Sequence, residues 1–302
     1  GQVPVVMSFR PDENAAFGDV LPDYVYCARQ LPAAAQRRKD VRYVVDADAW
    51  QGEEGTFPAF TKRALPLLAM CKAEAKFLFL TYLDLDEEVK ACLRHDHNVV
   101  IVAQSNHANR LGEQRALVHE LWREALATPV IFFQHYSHSH EALDDLRLQA
   151  AADMGALLFD GLTDGIFLLN QTPAQANEIT PAQVERTAFG ILQAARLRTT
   201  HTEYISCPGC GRTLYDLTGT IARIKEATAH LKGLKIGIMG CIVNGPGEMA
   251  DADYGYVGAA RGKVSLYRGK ECVEKNIPAE EAVEKLLALI ESDRAAQAEG
   301  NV

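Results

Sequence analysis

The sequence predicts a parallel α/β barrel-like domain of the TIM type, followed by a smaller α+β domain. Short apolar segments typical of strands alternate with amphipathic helical segments from residue 1 to about residue 170. Most of these strand segments are nearly continuous apolar runs, as expected of parallel strands that are covered on both faces. After residue 170 the alternation stops, and cysteine-containing loops, short strands and a last helix follow.

The first domain contains seven strand candidates, at residues 3–9, 41–48, 76–83, 98–105, 129–136, 156–161 and 165–170. Helical patterns lie between them, at residues 57–73, 86–94, 110–127 and 140–154. Seven strands are one short of the eight that close a TIM barrel. The sequence therefore predicts a TIM-like domain and leaves its closure open.

The domain boundaries follow from changes in composition. Residues 1–170 form the barrel-like domain, and the polar segment 171–198 is predicted as a linker and a connecting helix that begins after Thr180. Residues 199–302 form the second domain. Its predicted elements are a helix near 217–231, strands at 234–240, 254–257, 263–267 and 270–274, and a last helix at 278–293.

The composition is that of a globular protein, with 48% hydrophobic and 24% charged residues. No apolar run approaches the ~20 residues of a membrane span. The first residues lack the basic and apolar segments of a signal peptide. A net charge of −9 argues against a nucleic-acid partner. We therefore expect a cytoplasmic protein with neither a membrane nor a nucleic-acid partner.

Three of the seven cysteines stand out by their spacing. An odd number of cysteines without a secretory signal argues against a disulfide framework. Cys207 and Cys210 form a C-x-x-C pair, and Cys241 follows 31 residues later, directly after an apolar strand. The other cysteines lie in helix- or strand-like segments and are interpreted as buried free thiols: Cys27, Cys71, Cys92 and Cys272.

A C-x-x-C pair serves zinc sites, redox disulfides and iron–sulfur clusters alike. The redox interpretation is weakened because the pair lies outside the α/β part of the chain. Zinc would require a fourth cysteine or a histidine at close spacing, and only the distant His201 and His230 are candidates. Three thiolates without a fourth soft ligand suggest a four-iron cluster with one distinct iron. Spacing alone leaves zinc and iron–sulfur open.

Glu248 ends the segment CIVNGPGE, which Cys241 begins. Pro246 and the flanking glycines Gly245 and Gly247 favour a tight turn that can bring the carboxylate back to the metal site. A carboxylate oxygen binds iron more weakly than a thiolate does, so it is displaceable. Such a site would be open to a substrate. The alternative is that Glu248 only caps the turn.

Two segments, CPGCGR (207–212) and GCIVNGPGEMADADYGYVG (240–258), resemble the iron–sulfur domain of the 4-hydroxy-3-methylbut-2-enyl diphosphate synthase family. The resemblance extends from about residue 199 to residue 290. It implies a 4Fe–4S cluster and places Asn244 beside the substrate. Arg212, directly after the cysteine pair, is expected to support the cluster without binding iron. The implied ligands are Cys207, Cys210, Cys241 and Glu248.

The resemblance also implies a domain arrangement. Simple members of the family carry a substrate-binding barrel followed by the cluster domain, and a larger type of some bacteria and plastids has an additional α/β barrel-like domain inserted between them. Residues 1–170 resemble that insert, and the N-terminal substrate barrel is not recognised in the sequence. We therefore expect a piece that holds the cluster without a complete active site, from a bacterial cytoplasm or, in a plant-type source, the plastid stroma.

The implied activity is reductive. In the family, 2-C-methyl-D-erythritol 2,4-cyclodiphosphate is opened to 4-hydroxy-3-methylbut-2-enyl diphosphate in non-mevalonate isoprenoid biosynthesis, with electrons from reduced ferredoxin or flavodoxin. The substrate would meet the iron after displacing Glu248. Two other classes stay open: a non-catalytic module stabilised by zinc, and an iron–sulfur electron-transfer protein. Glu248 discriminates among them, because only the synthase needs it.

The remaining motifs have structural interpretations. The histidines within 94–97 and 135–140 are expected on polar loop rims, and the segment 105–110 is expected to be structural. The segment GAARGK (258–263) fails the P-loop pattern, because Val257 and Val264 stand where that pattern needs Gly and Ser or Thr. It is predicted to be a tight basic turn between two strands.

Overall fold

The computed structural model describes residues 3–8, 17–171, 178–213 and 215–299. Residue 9, in the first predicted strand, and residues 172–177, in the predicted linker, lie outside these ranges. The chain divides into two compact units, residues 1–198 and residues 199–302. Each unit has its own hydrophobic core.

Within the described residues, eight parallel strands of the first unit close into a barrel in sequential order. Their bounds are β1 Val5–Ser8, β2 Tyr24–Tyr26, β3 Arg42–Asp46, β4 Thr56–Thr61, β5 Lys76–Leu80, β6 Val99–Ala103, β7 Val130–Tyr136 and β8 Gly165–Asn170. The barrel closes because β8 pairs with β1, with Ile166 opposite Val5. The predicted TIM-like fold is confirmed, and the question of closure is answered.

The helices of the first unit are α1 Leu65–Met70, α2 Glu87–His95, α3 Arg110–Arg123, α4 Leu143–Phe159 and α5 Pro181–Ala194. Alternate strand residues point inward and fill the barrel, among them Val44, Phe77 and Phe167. The other face of each strand packs against the surrounding helices, as Leu78 and Leu80 do. This two-sided burial explains the continuous apolar runs in the sequence.

Two predictions for the first unit are wrong, and one strand was missed. The strand predicted at 156–161 is the last part of α4, because Leu157 and Leu158 join Met154 on the buried face of that helix. The helix predicted at 57–73 is in fact strand β4 followed by the short α1. The three-residue strand β2 was not predicted, since so short a segment gives no periodicity.

The helix α5, predicted as a connection between the domains, lies in the first unit and contacts β8, β1 and α4. It begins after Thr180, as predicted, at a capping box: the Thr180 side chain accepts a hydrogen bond from the Gln183 N–H, and the Gln183 side chain accepts one from the Thr180 N–H. Val184, Ala188 and Leu192 form its buried stripe. This stripe explains why the helix covers the barrel.

The second unit contains a mixed sheet of five strands within the described residues, in the order β13-β12-β11-β10-β9. The strands β9, β10 and β11 are parallel, and β11, β12 and β13 are antiparallel. The bounds are β9 Glu203–Ser206, β10 Lys235–Met239, β11 Tyr254–Ala260, β12 Lys263–Arg268 and β13 Glu271–Pro278, with helices α6 Leu217–Thr228, α7 Gly245–Glu248 and α8 Ala282–Glu299. The predicted small α+β domain is confirmed, although β9 was not predicted and the last helix begins later than expected.

Candidate metal centre

The parallel register of β9 and β10 brings the cysteine loops to one edge of the mixed sheet. Ile238 lies opposite Ser206, so both strands end at the same edge. Cys207 follows β9 directly, and Cys241 follows β10 after a single glycine. The main-chain N–H of that residue, Gly240, donates a hydrogen bond of 3.2 Å to the Cys207 sulfur. This hydrogen bond joins residues 33 positions apart in sequence, and its acceptor is a sulfur that is predicted to bind the metal.

The cysteine pair lies in a loop that is held by Thr213. The Thr213 N–H donates to the Cys210 carbonyl at 2.9 Å, and the Cys210 N–H donates to the Thr213 hydroxyl at 3.2 Å. Gly209 has a φ of +80°, which favours glycine between the two cysteines. Cys207 is half-buried and Cys210 is exposed. One thiol is therefore anchored in the protein, and the other faces solvent.

Close backbone packing fixes the end of β10. A side chain at Gly240 would place its Cβ 2.5 Å from the Thr213 hydroxyl oxygen, and a Cβ at Gly258 would lie 2.3 Å from the Gly240 carbonyl oxygen. The Tyr215 hydroxyl donates to the Met239 carbonyl at 3.0 Å. Both glycines are therefore required where β10 meets the cysteine loop and β11.

The predicted tight turn is the short helix α7, Gly245–Glu248, which Asn244 precedes. Pro246 lies in its first two positions, where a missing N–H costs no hydrogen bond. The Gly245 N–H donates to the Cys241 carbonyl at 3.2 Å, and the Glu248 N–H donates to the Asn244 carbonyl at 3.0 Å. The turn thus continues directly from Cys241, and the Asn244 and Glu248 side chains are exposed.

Arg212 supplies a positive charge beside the cysteine pair. Hydrogen bonds from the Arg212 main chain and side chain lower the pKa of the Cys210 thiol, so they favour its thiolate. The pKa of Arg212 is raised by Cys210 first, then by Cys241, and also by Glu248. The guanidinium therefore lies within electrostatic reach of three of the predicted ligands.

In the described part of the chain, no three histidine, cysteine or acidic side chains lie close enough to form a metal site. The structure brings the predicted ligands to one edge and does not draw them into a coordination sphere. Their chemistry nevertheless fits an iron–sulfur cluster: three thiols, a main-chain N–H directed at one sulfur, a guanidinium beside another and a nearby carboxylate. Cys272 is a poor fourth thiol for a relay, because it lies on the outer strand β13 and its thiol faces the Glu274 carbonyl.

Sequence reasoning missed three residues that shape this edge, namely Thr213, Tyr215 and Gly258. Each acts through packing or a main-chain hydrogen bond, so no ligand spacing could have revealed it. In the sequence, Gly258 stands out only as the last residue of the segment 240–258, which resembles the synthase family.

The other motifs are confirmed only in part, because His95 ends α2 and His135 lies in β7, so neither is on a loop. His138 contacts Gln149 at 2.9 Å and His140 contacts Gln183 at 3.5 Å, so these histidines serve different contacts on the barrel rim. The segment GAARGK is the turn between β11 and β12, as predicted. The described helices include none that is long and apolar enough to cross a membrane.

The second unit matches a known class of domain. Residues 203–292 match the family described as the GcpE protein C-terminal domain.

Nearly the whole chain is similar to 4-hydroxy-3-methylbut-2-en-1-yl diphosphate synthases (flavodoxin). Identity is 61% to that of Bacteroides thetaiotaomicron over 97% of this chain and 46% of the relative. It is 59% to that of Bacteroides fragilis over 96% and 45%, and 51% to that of Chlorobaculum tepidum over 60% and 23%. The chain spans about half the length of the curated relatives that it matches most fully. The resemblance to this synthase family is confirmed.

Proposed function

We propose that this chain holds a 4Fe–4S cluster and contributes it to the reductive opening of 2-C-methyl-D-erythritol 2,4-cyclodiphosphate to 4-hydroxy-3-methylbut-2-enyl diphosphate. The proposed ligands are Cys207, Cys210, Cys241 and Glu248. The observation that carries the proposal is the edge of the mixed sheet where Cys207 is joined to Gly240 and where Arg212 lies within reach of the other ligands. The names of the relatives support the reaction and an electron donor of the flavodoxin class, with ferredoxin as the alternative donor.

Each residue of the edge has a distinct task in this proposal. Cys207, Cys210 and Cys241 bind iron as thiolates, and Arg212 offsets part of their negative charge. Glu248 completes the ligand set with an oxygen that the substrate can displace. The exposed Asn244 amide begins the same turn and can orient a polar group of the substrate. When bound, the cluster supplies single electrons and a Lewis-acidic iron.

The two rival functions make different demands on the same edge. A structural zinc site would need a histidine such as His201 beside the cysteines, and the His201 ring contacts the Thr200 hydroxyl at 3.0 Å. An electron relay favours four thiolates. Neither rival uses the Glu248 carboxylate.

Replacement of Glu248 by Gln tests the proposal. We expect Glu248→Gln to remain folded and to change the visible and electron paramagnetic resonance spectra of the anaerobically reconstituted chain. In a protein that also contains the segment by which the relatives exceed this chain, turnover should fall by about 100-fold or more, since a group that acts in the reaction itself is removed.

Glu226→Gln, at an exposed position of α6, is the matched control and should change neither the spectra nor turnover. Unchanged spectra and turnover in Glu248→Gln would contradict the proposed role of this carboxylate. A zinc-containing, colourless wild-type chain would contradict the cluster itself.

A further inference from the structure

The turn between β11 and β12 has a defined conformation. We refer to residues 258–263 as the basic turn. Ala260 pairs with Lys263 across it, and Gly262 has a φ of +67°, which favours glycine. The Ala279 N–H donates to the Gly262 carbonyl at 2.9 Å, so the basic turn is tied to the chain that follows β13. Its position in the second unit is therefore fixed by main-chain contacts.

The basic turn lies at the same edge of the sheet as the cysteines. The strands β10 and β11 run in parallel, with Met239 opposite Val257. Cys241 comes two residues after Met239, and Arg261 comes four residues after Val257. At about 3.3 Å per residue, the basic turn extends ~7 Å further along the strand direction than Cys241 does. A partner that binds the basic turn is thus brought next to the proposed iron site.

The charges of the basic turn are uncompensated. Arg261 and Lys263 are exposed, and no salt bridge within the described residues includes either of them. Some other cations of this unit are paired, as Arg268 is with Asp293 and Lys285 with Glu274. The chain as a whole carries a net charge of −9. The basic turn therefore presents two exposed positive charges on an acidic protein.

We propose that the basic turn is the docking surface for an acidic electron-carrier protein of the flavodoxin class. This proposal rests on the proposed function, because it requires electrons to enter at the cysteine edge. Exposed charges on a protruding turn suit a brief protein encounter, whereas a small anion would need a concave site. In each encounter the reduced carrier would give up one electron, and the cluster, when bound, would accept it.

Charge reversal at Lys263 tests the docking surface. Binding of oxidised flavodoxin to the chain is followed by calorimetry or by nuclear magnetic resonance titration at low ionic strength. We expect Lys263→Glu to raise Kd about tenfold, because a favourable charge contact becomes a repulsive one. Lys263→Arg should bind as the wild type does, and added salt should reduce the difference between the variants.

Lys270→Glu is the matched control. Lys270 is exposed and follows β12 at the opposite end of the sheet, where Arg268 lies opposite Tyr254. No salt bridge within the described residues involves it, so it resembles Lys263 in charge and exposure. We expect Lys270→Glu to change Kd less than twofold. An equal effect of both reversals, or no effect of Lys263→Glu, would overturn the proposal.

A second measurement separates docking from iron binding. Reduction of the reconstituted chain is followed by its visible absorbance, with either reduced flavodoxin or photoreduced deazariboflavin, an uncharged small molecule, as the donor. Lys263→Glu should slow the first reaction about tenfold and leave the second unchanged. Equal rates of wild type and variant with reduced flavodoxin would count against docking. A wild-type chain that takes up no cluster would refute the proposed function, and the binding comparison would still decide the docking surface.

Discussion

At the scale of single residues, the cysteine edge concentrates positive partial charge around its sulfurs. Cys207 accepts a hydrogen bond from the Gly240 main chain, and Cys210 accepts hydrogen bonds from Arg212. Hydrogen bonds to ligand sulfurs tune the potential of an iron–sulfur cluster. A main-chain N–H also remains a donor when the side chains around it are substituted. The hydrogen bonds from Arg212 thus favour the thiolate of Cys210.

One residue of the first unit gives a pH-dependent prediction. Glu185 is buried in α5, and its carboxylate accepts a hydrogen bond of 3.0 Å from the Gly18 N–H. Burial raises the pKa of Glu185, and this effect exceeds the opposing hydrogen bond. An acid whose folded pKa exceeds its unfolded pKa binds more protons in the folded state, so its contribution to stability declines as pH rises through that interval. Glu185→Gln removes this dependence.

We expect the difference in Tm between Glu185→Gln and the wild type to move in favour of the variant, by a few degrees, from about pH 4 to about pH 8. Thermal unfolding across this range measures it. Glu291→Gln, at an exposed position of α8, should show no such trend. A difference that stays constant with pH would mean that Glu185 titrates as an ordinary carboxyl.

At the scale of elements, the site depends on how closely β10 and β11 approach. They come closest where Gly240, directly after β10, meets Gly258 of β11. Parallel pairing brings the ends of β9, β10 and β11 to one edge. The cysteine pair follows β9, Cys241 follows β10, and the basic turn lies at the end of β11. The sheet therefore brings the proposed ligands to one edge.

Gly258→Ala should disturb this assembly. The added methyl would lie 2.3 Å from the Gly240 carbonyl oxygen, so β11 must move away from the strand that carries Cys241. We expect a loss of about 1–3 kcal/mol in the free energy of unfolding and at least a halving of the iron bound after reconstitution. Urea denaturation and iron analysis measure the two effects.

The control is Gly190→Ala in α5, where an added Cβ meets nothing within 4 Å. This variant should be more stable by roughly 0.5–1 kcal/mol, because alanine favours the helix, and it should bind iron as the wild type does. Wild-type iron content in Gly258→Ala would show that the close approach of the two strands is not needed for the site.

At the scale of the whole molecule, the sequence predicted the fold class from local patterns and missed what depends on distant contacts. Two-sided burial made the barrel strands visible as apolar runs. The closing pair β1 and β8 could not be read from the sequence, and neither could the three-residue β2, because pairing over such a separation leaves no local signal.

In the candidate site, too, local features were predicted and contacts between distant residues were not. Cysteine spacing and the Asn-Gly-Pro-Gly segment singled out the proposed ligands, since C-x-x-C and a loop carboxylate are local features. Their approach depends on the parallel register of β9 with β10, which is a tertiary contact. The support from Thr213 and Tyr215 depends on the same contact and was not predicted.

The most direct test of the account is the iron, sulfide and zinc content of the chain after anaerobic purification and reconstitution. We expect about four irons and four sulfides per chain. Cys241→Ser should lose them, and Cys272→Ser, on the outer strand, should keep them. One tightly bound zinc per chain without sulfide, retained in the reconstituted wild type, would contradict the account, because it would make the cysteine edge a structural site.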